Sequence, residues 1–177
     1  MPFTAFHVVP IWPLYVKWPH RWDVLALSFG AVMPDLEILA STLLAGDLTF
    51  GRGIMHSLLG VVTLNLLLAL VAARFLAPWL ATSLSTRLPS AAWRTFAHRD
   101  VISERRPWLV TGSSAIIGGL THLAIDLTHH GNTPLLWPWQ DVPIRAGPWA
   151  QDPLANVIAN VIAGSLFVVM WIKWVGK

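Results

Sequence analysis

The chain contains no cysteine and few charged residues, and both shortages limit what it can be. Without cysteine it has no disulfides, no thiolate metal ligands and no cysteine nucleophile. Charged residues make up 12% of its 177 residues, whereas soluble domains contain about 25%. Hydrophobic residues make up 55%. This composition does not supply a mostly water-facing surface, so the sequence predicts a membrane protein.

The chain also lacks internal repeats, low-complexity tracts and nucleic-acid-binding motifs. Its net charge of +3 comes from clustered arginines flanked by Trp and Pro, a pattern that indicates membrane orientation and not nucleic-acid binding. The length suits one compact bundle, so we expect a single transmembrane domain over residues 1–177. No basic segment and no small-residue cleavage site follow Met1, so we expect no removable signal peptide.

Four apolar stretches are long enough to cross a bilayer, which takes about 17–25 apolar residues in a helix. The sequence therefore predicts an all-α integral membrane bundle. Pro34 interrupts the first stretch and should kink it, because proline removes a backbone donor and clashes with the preceding turn. The predicted spans are Val24–Leu44, Ser57–Trp79, Pro107–Leu127 and Leu154–Trp174.

Two shorter segments complete the predicted fold. Phe3–Val16 is apolar and contains Pro10 and Pro13. We expect an N-terminal half-helix, interfacial or re-entrant, that returns His7 to the bundle, and the alternative is a frayed surface arm. Ser90–Ser103 is expected to form an interfacial helix on the inner leaflet.

The arginines predict the orientation. Thr86–Pro107 contains five arginines and only two acidic residues, so the positive-inside rule makes this loop cytoplasmic. With four spans, both termini are then cytoplasmic, and we expect a multi-pass protein of the inner (plasma) membrane. Most of the eleven tryptophans lie where spans end, as in an aromatic belt. The Trp- and Pro-rich loop Gly131–Asp152 is expected to cover the outer mouth.

Ionisable residues recur within this apolar sequence, where lipid should exclude them. Placing one at bilayer depth costs roughly 2.5–3.5 kcal/mol on insertion scales, so it marks a functional site by default. Four clusters contain such residues, and each includes a good metal ligand. They are T-A-F-H at Thr4–His7, P-D-L-E at Pro34–Glu37, G-R-G-I-M-H-S at Gly51–Ser57 and T-H-L-A-I-D-L-T-H-H at Thr121–His130.

His122 and Asp126 are four residues apart, which places both side chains on one face of a helix. Imidazole with carboxylate suits Zn²⁺, Mn²⁺ or Fe²⁺, whereas Ca²⁺ prefers oxygen ligands alone. The spacing is a weak signal by itself. Its position in an apolar helix strengthens it, because burial penalises both groups unless they pair or bind an ion. The alternative is a His–Asp hydrogen bond that ties two helices together.

Asp35 and Glu37 follow the proline of the first span. The functional interpretation makes one carboxylate a metal ligand and the other a base or an orienting partner. In the alternative, Asp35 caps the helix that restarts after Pro34, since Asp is a favoured N-cap residue.

His56 and Arg52 lie just before the second span. Glycines at 51 and 53 allow a ligand to approach the backbone, and Arg52 can grip a carboxylate or phosphate with two hydrogen bonds. A lone histidine at the interface would be unremarkable. The predicted topology, however, places His56 on the same membrane side as Asp35, His122 and Asp126, which favours a shared site.

These motifs resemble the YdjM-like family of membrane-bound metal-dependent hydrolases, most closely the branch of integral membrane proteins that opens with M-P-F-T. The resemblance rests on M-P-F-T-x-x-H, G-x-x-x-P-D-x-E, R-G-x-x-H-S-L, H-x-x-x-D-x-x-x-x-G and L-L-W-P, and spans Met1 to about Pro138. Two positions depart from the pattern: Glu37 replaces the usual Asp, and Met55 stands where Thr commonly precedes the histidine. The resemblance implies a metal site formed by His7, Asp35, Glu37, His56, His122 and Asp126.

The leading expectation is therefore metal-dependent hydrolysis of an ester or phosphoester in or near lipid. A divalent metal, Zn²⁺ or else Mn²⁺ or Fe²⁺, would activate water, with Glu37 or Asp35 as the base and Arg52 as the anion clamp. The metal ligands are expected to be His7, Asp35, His56, His122 and Asp126.

Two other classes of function stay open. The chain could be a non-enzymatic subunit or assembly factor of a larger membrane complex, including a subunit whose intramembrane histidines ligate a pigment or haem. A transporter is a third class, which four spans favour less unless the chain oligomerises. The expected partners are the lipid bilayer and other proteins of such a complex, without nucleic acid.

Overall fold

The computed structural model describes residues 4–45, 52–85, 106–129, 133–139 and 152–175. These residues form helices and connecting turns without a β-strand. The predicted all-α class is therefore confirmed. The interfacial helix predicted for Ser90–Ser103 lies outside the described residues, as does most of the Gly131–Asp152 loop.

Among the described residues, four helices are long and apolar enough to cross a membrane, and they indicate a multi-pass membrane protein. The first has the bounds predicted from sequence, and the other three lie close to predicted stretches, with ends that differ by one to four residues. The spans, numbered first to fourth below, are Val24–Leu44, Leu58–Ser83, Trp108–Thr128 and Pro153–Met170.

The first span begins at Asp23, whose Oδ1 accepts hydrogen bonds from the amides of Leu25 and Ala26, both at 3.1 Å. This N-cap satisfies amides that have no partner within the helix. The expected disruption at Pro34 takes the form of a 3₁₀ turn, so the span has three segments. They are an α-helix at Val24–Val32, the 3₁₀ turn at Met33–Asp35 and an α-helix at Leu36–Ala45.

A 3₁₀ turn at Ile54–His56 leads into the second span. Ser57 caps the start of this span, because its Oγ accepts a hydrogen bond from the Gly60 amide at 2.9 Å. The span alternates α-helical and π-helical segments. The α-helical ones are Leu58–Gly60, Leu66–Val71 and Ala77–Ser85, and the π-helical ones are Val61–Asn65 and Ala72–Leu76. The third and fourth spans lie in unbroken α-helices, Trp108–His129 and Pro153–Val175.

The first and third spans pack backbone against backbone. A Cβ atom added to Gly30 would lie 2.1 Å from the Ala115 carbonyl oxygen, and one on Gly118 would lie 2.2 Å from that of Leu27. Small residues at such crossings allow membrane helices to approach closely. This close contact determines which part of the third span lies beside Ala31.

The N-terminal segment lies against the first span. A 3₁₀ helix at Thr4–Ile11 continues into an α-helix at Trp12–Lys17, and the buried side chain of Ile11 packs with Leu27 and Ala31. This is the half-helix expected from sequence, and it carries His7 into the bundle.

The fourth span lies at the periphery, since none of its residues is buried. Its contact with the rest of the chain includes the N-terminal segment, where the rings of Phe6 and Phe167 lie 6.2 Å apart. The described part of the long loop contacts the start of the second span, because the Leu58 amide donates to the Leu135 carbonyl at 2.9 Å. Residues 133–139 therefore lie at the end of the bundle that holds His56.

Candidate metal centre

All seven residues singled out from sequence lie in one polar cluster at one end of the bundle. The first and third spans, the turn before the second span and the N-terminal segment each supply part of it. We call this cluster the polar centre, and its members are His7, Asp35, Glu37, Arg52, His56, His122 and Asp126.

His122 presents one defined nitrogen to the polar centre. Its Nδ1 lies 2.7 Å from the Ala31 carbonyl oxygen. A carbonyl only accepts hydrogen bonds, so Nδ1 carries the hydrogen, and in the neutral ring Nε2 has a lone pair. That Nε2 lies 3.6 Å from Asp35 Oδ1 and 3.7 Å from Asp126 Oδ2.

His56 is arranged like His122, with one ring nitrogen held by an acceptor and the other facing the carboxylates. Its Nδ1 lies 3.2 Å from Glu37 Oε2, and its Nε2 lies 3.6 Å from Asp35 Oδ1 and 3.7 Å from Asp126 Oδ2. A carboxylate on one ring nitrogen orients the other towards a metal in many histidine sites. Both imidazoles therefore aim Nε2 at the same two carboxylates.

The spacing of these atoms fits a divalent metal. Both side chains are fully buried, and neither the His56 nor the His122 Nε2 atom has a hydrogen-bond partner among the described residues. A tetrahedral site with metal–ligand distances near 2.0–2.2 Å has ligand atoms about 3.3–3.6 Å apart. The four contacts of 3.6–3.7 Å are slightly longer than this range. The nitrogen–carboxylate donor set suits Zn²⁺, Mn²⁺ or Fe²⁺.

Asp126 connects the polar centre to Arg52. The Arg52 Nε atom donates to Asp126 Oδ2 at 3.2 Å, and both side chains are largely buried. The guanidinium offsets part of the charge of a carboxylate that would otherwise be costly at this depth. Arg52 thus lies beside the metal-ligand candidates, as an anion clamp requires.

Glu37 holds the turn that carries His56. Its Oε2 accepts from the amides of Gly53 at 2.9 Å and Met55 at 3.1 Å, in addition to His56 Nδ1. A Cβ atom on Gly53 would lie 2.6 Å from Glu37 Oε1, so a glycine suits this close approach. These bonds place Glu37 behind His56. That Glu37 or Asp35 acts as a general base stays a prediction. Of these two carboxylates, Asp35 is the one that faces both imidazoles.

His7 lies at the edge of the polar centre. Its ring stacks on His122 with centroids 3.9 Å apart and an interplanar angle of 23°. Its Nε2 lies 4.0 Å from Asp126 Oδ1, whereas Arg52 Nε contacts the other oxygen, Oδ2. In the described part of the chain, two sets of three residues have ligand atoms within 4.8 Å of one another. They are His7, His122 and Asp126, and Asp35, His56 and His122.

The electrostatics of His56 favour its charged form when no metal is present. Burial lowers the pKa of His56, but the neighbouring carboxylates of Asp35, Glu37 and Asp126 outweigh this effect. The net pKa lies above the usual value of 6.5. A proton and a metal therefore compete for the same imidazole.

Sequence reasoning missed several groups that support the polar centre. The Ala31 carbonyl and the Gly53 and Met55 amides are backbone atoms, so residue type gave no signal for them. Asn65 donates from Nδ2 to the Met55 carbonyl at 2.8 Å and holds the His56 turn.

The opposite end of the bundle contains a second polar network. Thr111 Oγ1 donates to Asp23 Oδ2, and the Asp23 amide donates to Ser114 Oγ, both at 2.9 Å. Asp directly before an apolar run is a typical N-cap signal, so the sequence carried a clue to Asp23.

Comparison with protein families gives a match over nearly the whole chain. Residues 1–176 match the model of a family whose description is a domain of unknown function, DUF4184. No curated protein and no solved structure matches the chain.

Proposed function

The chain belongs to the DUF4184 family, and we propose that it is a membrane-embedded, metal-dependent hydrolase of an ester or phosphoester in or near lipid. One observation carries the proposal. Two buried imidazole Nε2 atoms face the same two carboxylates at 3.6–3.7 Å, and both lack a hydrogen-bond partner in the described chain. Buried polar atoms are rarely left in this state, so a bound group is the simplest explanation.

His56, His122, Asp35 and Asp126 would hold the metal, with His7 beside them. A divalent ion there would supply Lewis-acid activation of water and of the substrate carbonyl or phosphoryl oxygen. Asp35, which faces both imidazoles, is the carboxylate best placed to take a proton, whereas Glu37 fixes the orientation of His56. Arg52 would orient an anionic substrate group beside Asp126.

We place the polar centre at the outer face of the plasma membrane, because the arginine-rich segment Thr86–Pro107 should be cytoplasmic. The absence of native cysteine makes this orientation easy to test. Trp139→Cys lies in an exposed loop near the polar centre, and Lys17→Cys is an exposed position on the N-terminal helix. In intact cells an impermeant thiol reagent should label only Trp139→Cys. Labelling of Lys17→Cys alone would mean that the orientation is inverted.

The metal is tested by elemental analysis of the protein purified in detergent after incubation with Zn²⁺ or Mn²⁺. We expect stoichiometric metal in the wild type and its loss in His122→Ala and in the isosteric Asp126→Asn. Thr128→Ala is the matched control, since its exposed hydroxyl lies on the same helix and donates to the Ile125 carbonyl of that helix. Folded wild-type protein that stays metal-free would contradict the proposal and favour a non-enzymatic subunit of a membrane complex.

Catalysis is tested separately with para-nitrophenyl phosphate and para-nitrophenyl acetate in mixed micelles. We expect turnover of one ester class by the metal-loaded wild type and none by Asp126→Asn. Metal-loaded protein that hydrolyses neither ester, nor a panel of phospholipids, would leave a metal centre without the proposed activity. Visible absorption of the purified protein would point to a pigment or haem.

A further inference from the structure

Asp126 divides its two oxygens between two groups of ligands. Oδ2 faces the Nε2 atoms of His56 and His122 at 3.7 Å, and Oδ1 faces the Nε2 atom of His7 at 4.0 Å. A carboxylate that presents one oxygen to each of two ligand groups is suited to bridge two metal ions. In two-metal sites the ions lie about 3.5–4 Å apart.

His122 cannot serve both groups. Its Nδ1 donates to the Ala31 carbonyl, so only Nε2 is available, and one nitrogen lone pair ligates one ion. If His122 joins His56 and Asp35 on a first ion, the pair of ligand atoms that faces a second ion is His7 Nε2 and Asp126 Oδ1. His7 is fixed in this position by its stacking on His122.

The net negative charge of the polar centre is also compatible with the binding of two cations. Asp35, Glu37 and Asp126 supply three negative charges, and Arg52 supplies one positive charge. With neutral imidazoles the net formal charge is two negative, in a largely buried cluster. One divalent ion neutralises this charge, and a second makes the centre cationic, as recognition of an anionic phosphoester requires.

We propose that the polar centre binds two divalent metal ions bridged by Asp126, the second of them through His7. This inference rests on the proposed metal centre and deepens it towards phosphoester chemistry. The first ion has two imidazoles and two carboxylate oxygens. The second has one imidazole and one carboxylate oxygen from the described chain, so its affinity should be the lower of the two.

The experiment is an equilibrium Mn²⁺ titration of the purified protein in detergent, with free Mn²⁺ measured by electron paramagnetic resonance. His7→Phe keeps an aromatic ring to stack on His122 but removes both nitrogens. His20→Phe is the control, because His20 is an exposed histidine outside the polar centre. Two Mn²⁺ ions that share a carboxylate are magnetically coupled, which gives a spectrum distinct from that of an isolated ion.

We expect two bound ions and a coupled spectrum in the wild type and in His20→Phe. His7→Phe should bind one ion and give the spectrum of an isolated one, whereas Asp126→Asn should lose the coupling and most of the binding. A wild type that saturates with one ion would overturn the second site and leave the proposed metal centre standing. No binding would overturn both, and two coupled ions in His7→Phe would show that His7 is not the ligand.

Discussion

The ring of His122 is oriented by the backbone of another helix, because its Nδ1 donates to the Ala31 carbonyl oxygen over 2.7 Å. This bond determines that Nε2, and not Nδ1, faces Asp35 and Asp126. Backbone atoms cannot be replaced by mutation, but the position of this carbonyl depends on how closely the first and third spans pack. The glycines at that crossing therefore support the polar centre.

Gly118→Ala should destabilise the protein and weaken metal binding together. Its new Cβ would lie 2.2 Å from the Leu27 carbonyl oxygen, so the helices must separate or shift. Overpacking of this kind costs about 1–3 kcal/mol, and the shift would move Ala31 away from His122. Thermal unfolding and Zn²⁺ affinity should be measured in the same detergent.

Gly112→Ala is the matched control on the same helix. Its Cβ would meet Leu66 Cδ1 at 4.0 Å, an ordinary contact, and alanine is the better helix former. We expect unchanged metal affinity and unchanged or slightly higher stability. Equal losses in both glycine variants would show that the close crossing does not position His122.

The residues of the polar centre could be predicted because burial makes ionisable side chains conspicuous in an apolar chain. His122 and Asp126 follow from helical spacing, and the convergence of His56 and Asp35 follows from the order of the spans. All seven predicted residues lie together.

Their mutual roles could not be predicted, because those depend on backbone geometry. The sequence could not show that Glu37 holds the amides of Gly53 and Met55, since amides occur at nearly every residue. It also could not show the stacking of His7 on His122, because the two lie far apart in the chain and meet only through packing. Apolar length predicted four spans, but not the π-helical turns within the second, which no residue pattern announced.

Glu37→Ala should weaken metal binding without removing a ligand. The change deprives the Gly53 and Met55 amides and His56 Nδ1 of their acceptor, so the ring of His56 is no longer fixed. Loss of such an orienting group typically costs 10- to 100-fold in metal affinity, and we expect about that loss here. Competition with a chromogenic chelator gives the affinity.

Glu37→Gln separates orientation from charge. Its amide oxygen can still accept from both backbone amides, so we expect partial rescue relative to Glu37→Ala. Ser41→Ala, one turn further along the same helix, removes a hydroxyl that donates to the Ile38 carbonyl of that helix and should have no effect. If Glu37→Ala binds metal as tightly as Ser41→Ala, the proposed orientation of His56 is wrong.

Arg52→Lys should impair handling of an anionic substrate while leaving folding and metal content intact. Lysine retains a positive charge near Asp126 but loses the planar fork that holds a phosphate or carboxylate with two hydrogen bonds. We expect kcat/KM to fall about tenfold, equivalent to about 1.4 kcal/mol, on whichever ester the wild type hydrolyses. Arg74→Lys is the control, because Arg74 contacts Trp108 and the Arg106 carbonyl away from the centre. Identical kinetics of Arg52→Lys and wild type would mean that Arg52 serves only to offset the negative charge of Asp126.

The stability of the protein should depend on pH in opposite directions with and without metal. The pKa of His56, which lies outside the spans, is raised above 6.5 in the metal-free fold. A raised pKa means that the folded state holds the proton more tightly than the unfolded chain. The resulting stabilisation is fully present below pH 6.5 and is lost as the pH rises through the folded-state pKa.

Metal reverses this dependence, because it binds only the neutral imidazole and must displace the proton. Between about pH 6 and about pH 8 we expect the Tm of metal-free protein to fall and the increase in Tm caused by Zn²⁺ to grow. His56→Gln should flatten the metal-free trend, whereas His20→Gln, at an exposed histidine, should not. Differential scanning fluorimetry in one detergent measures Tm with and without Zn²⁺ at each end of the pH range. A Zn²⁺-induced shift that is the same at both ends of the pH range would show that the metal does not compete with a proton at His56, and so that His56 is not a ligand.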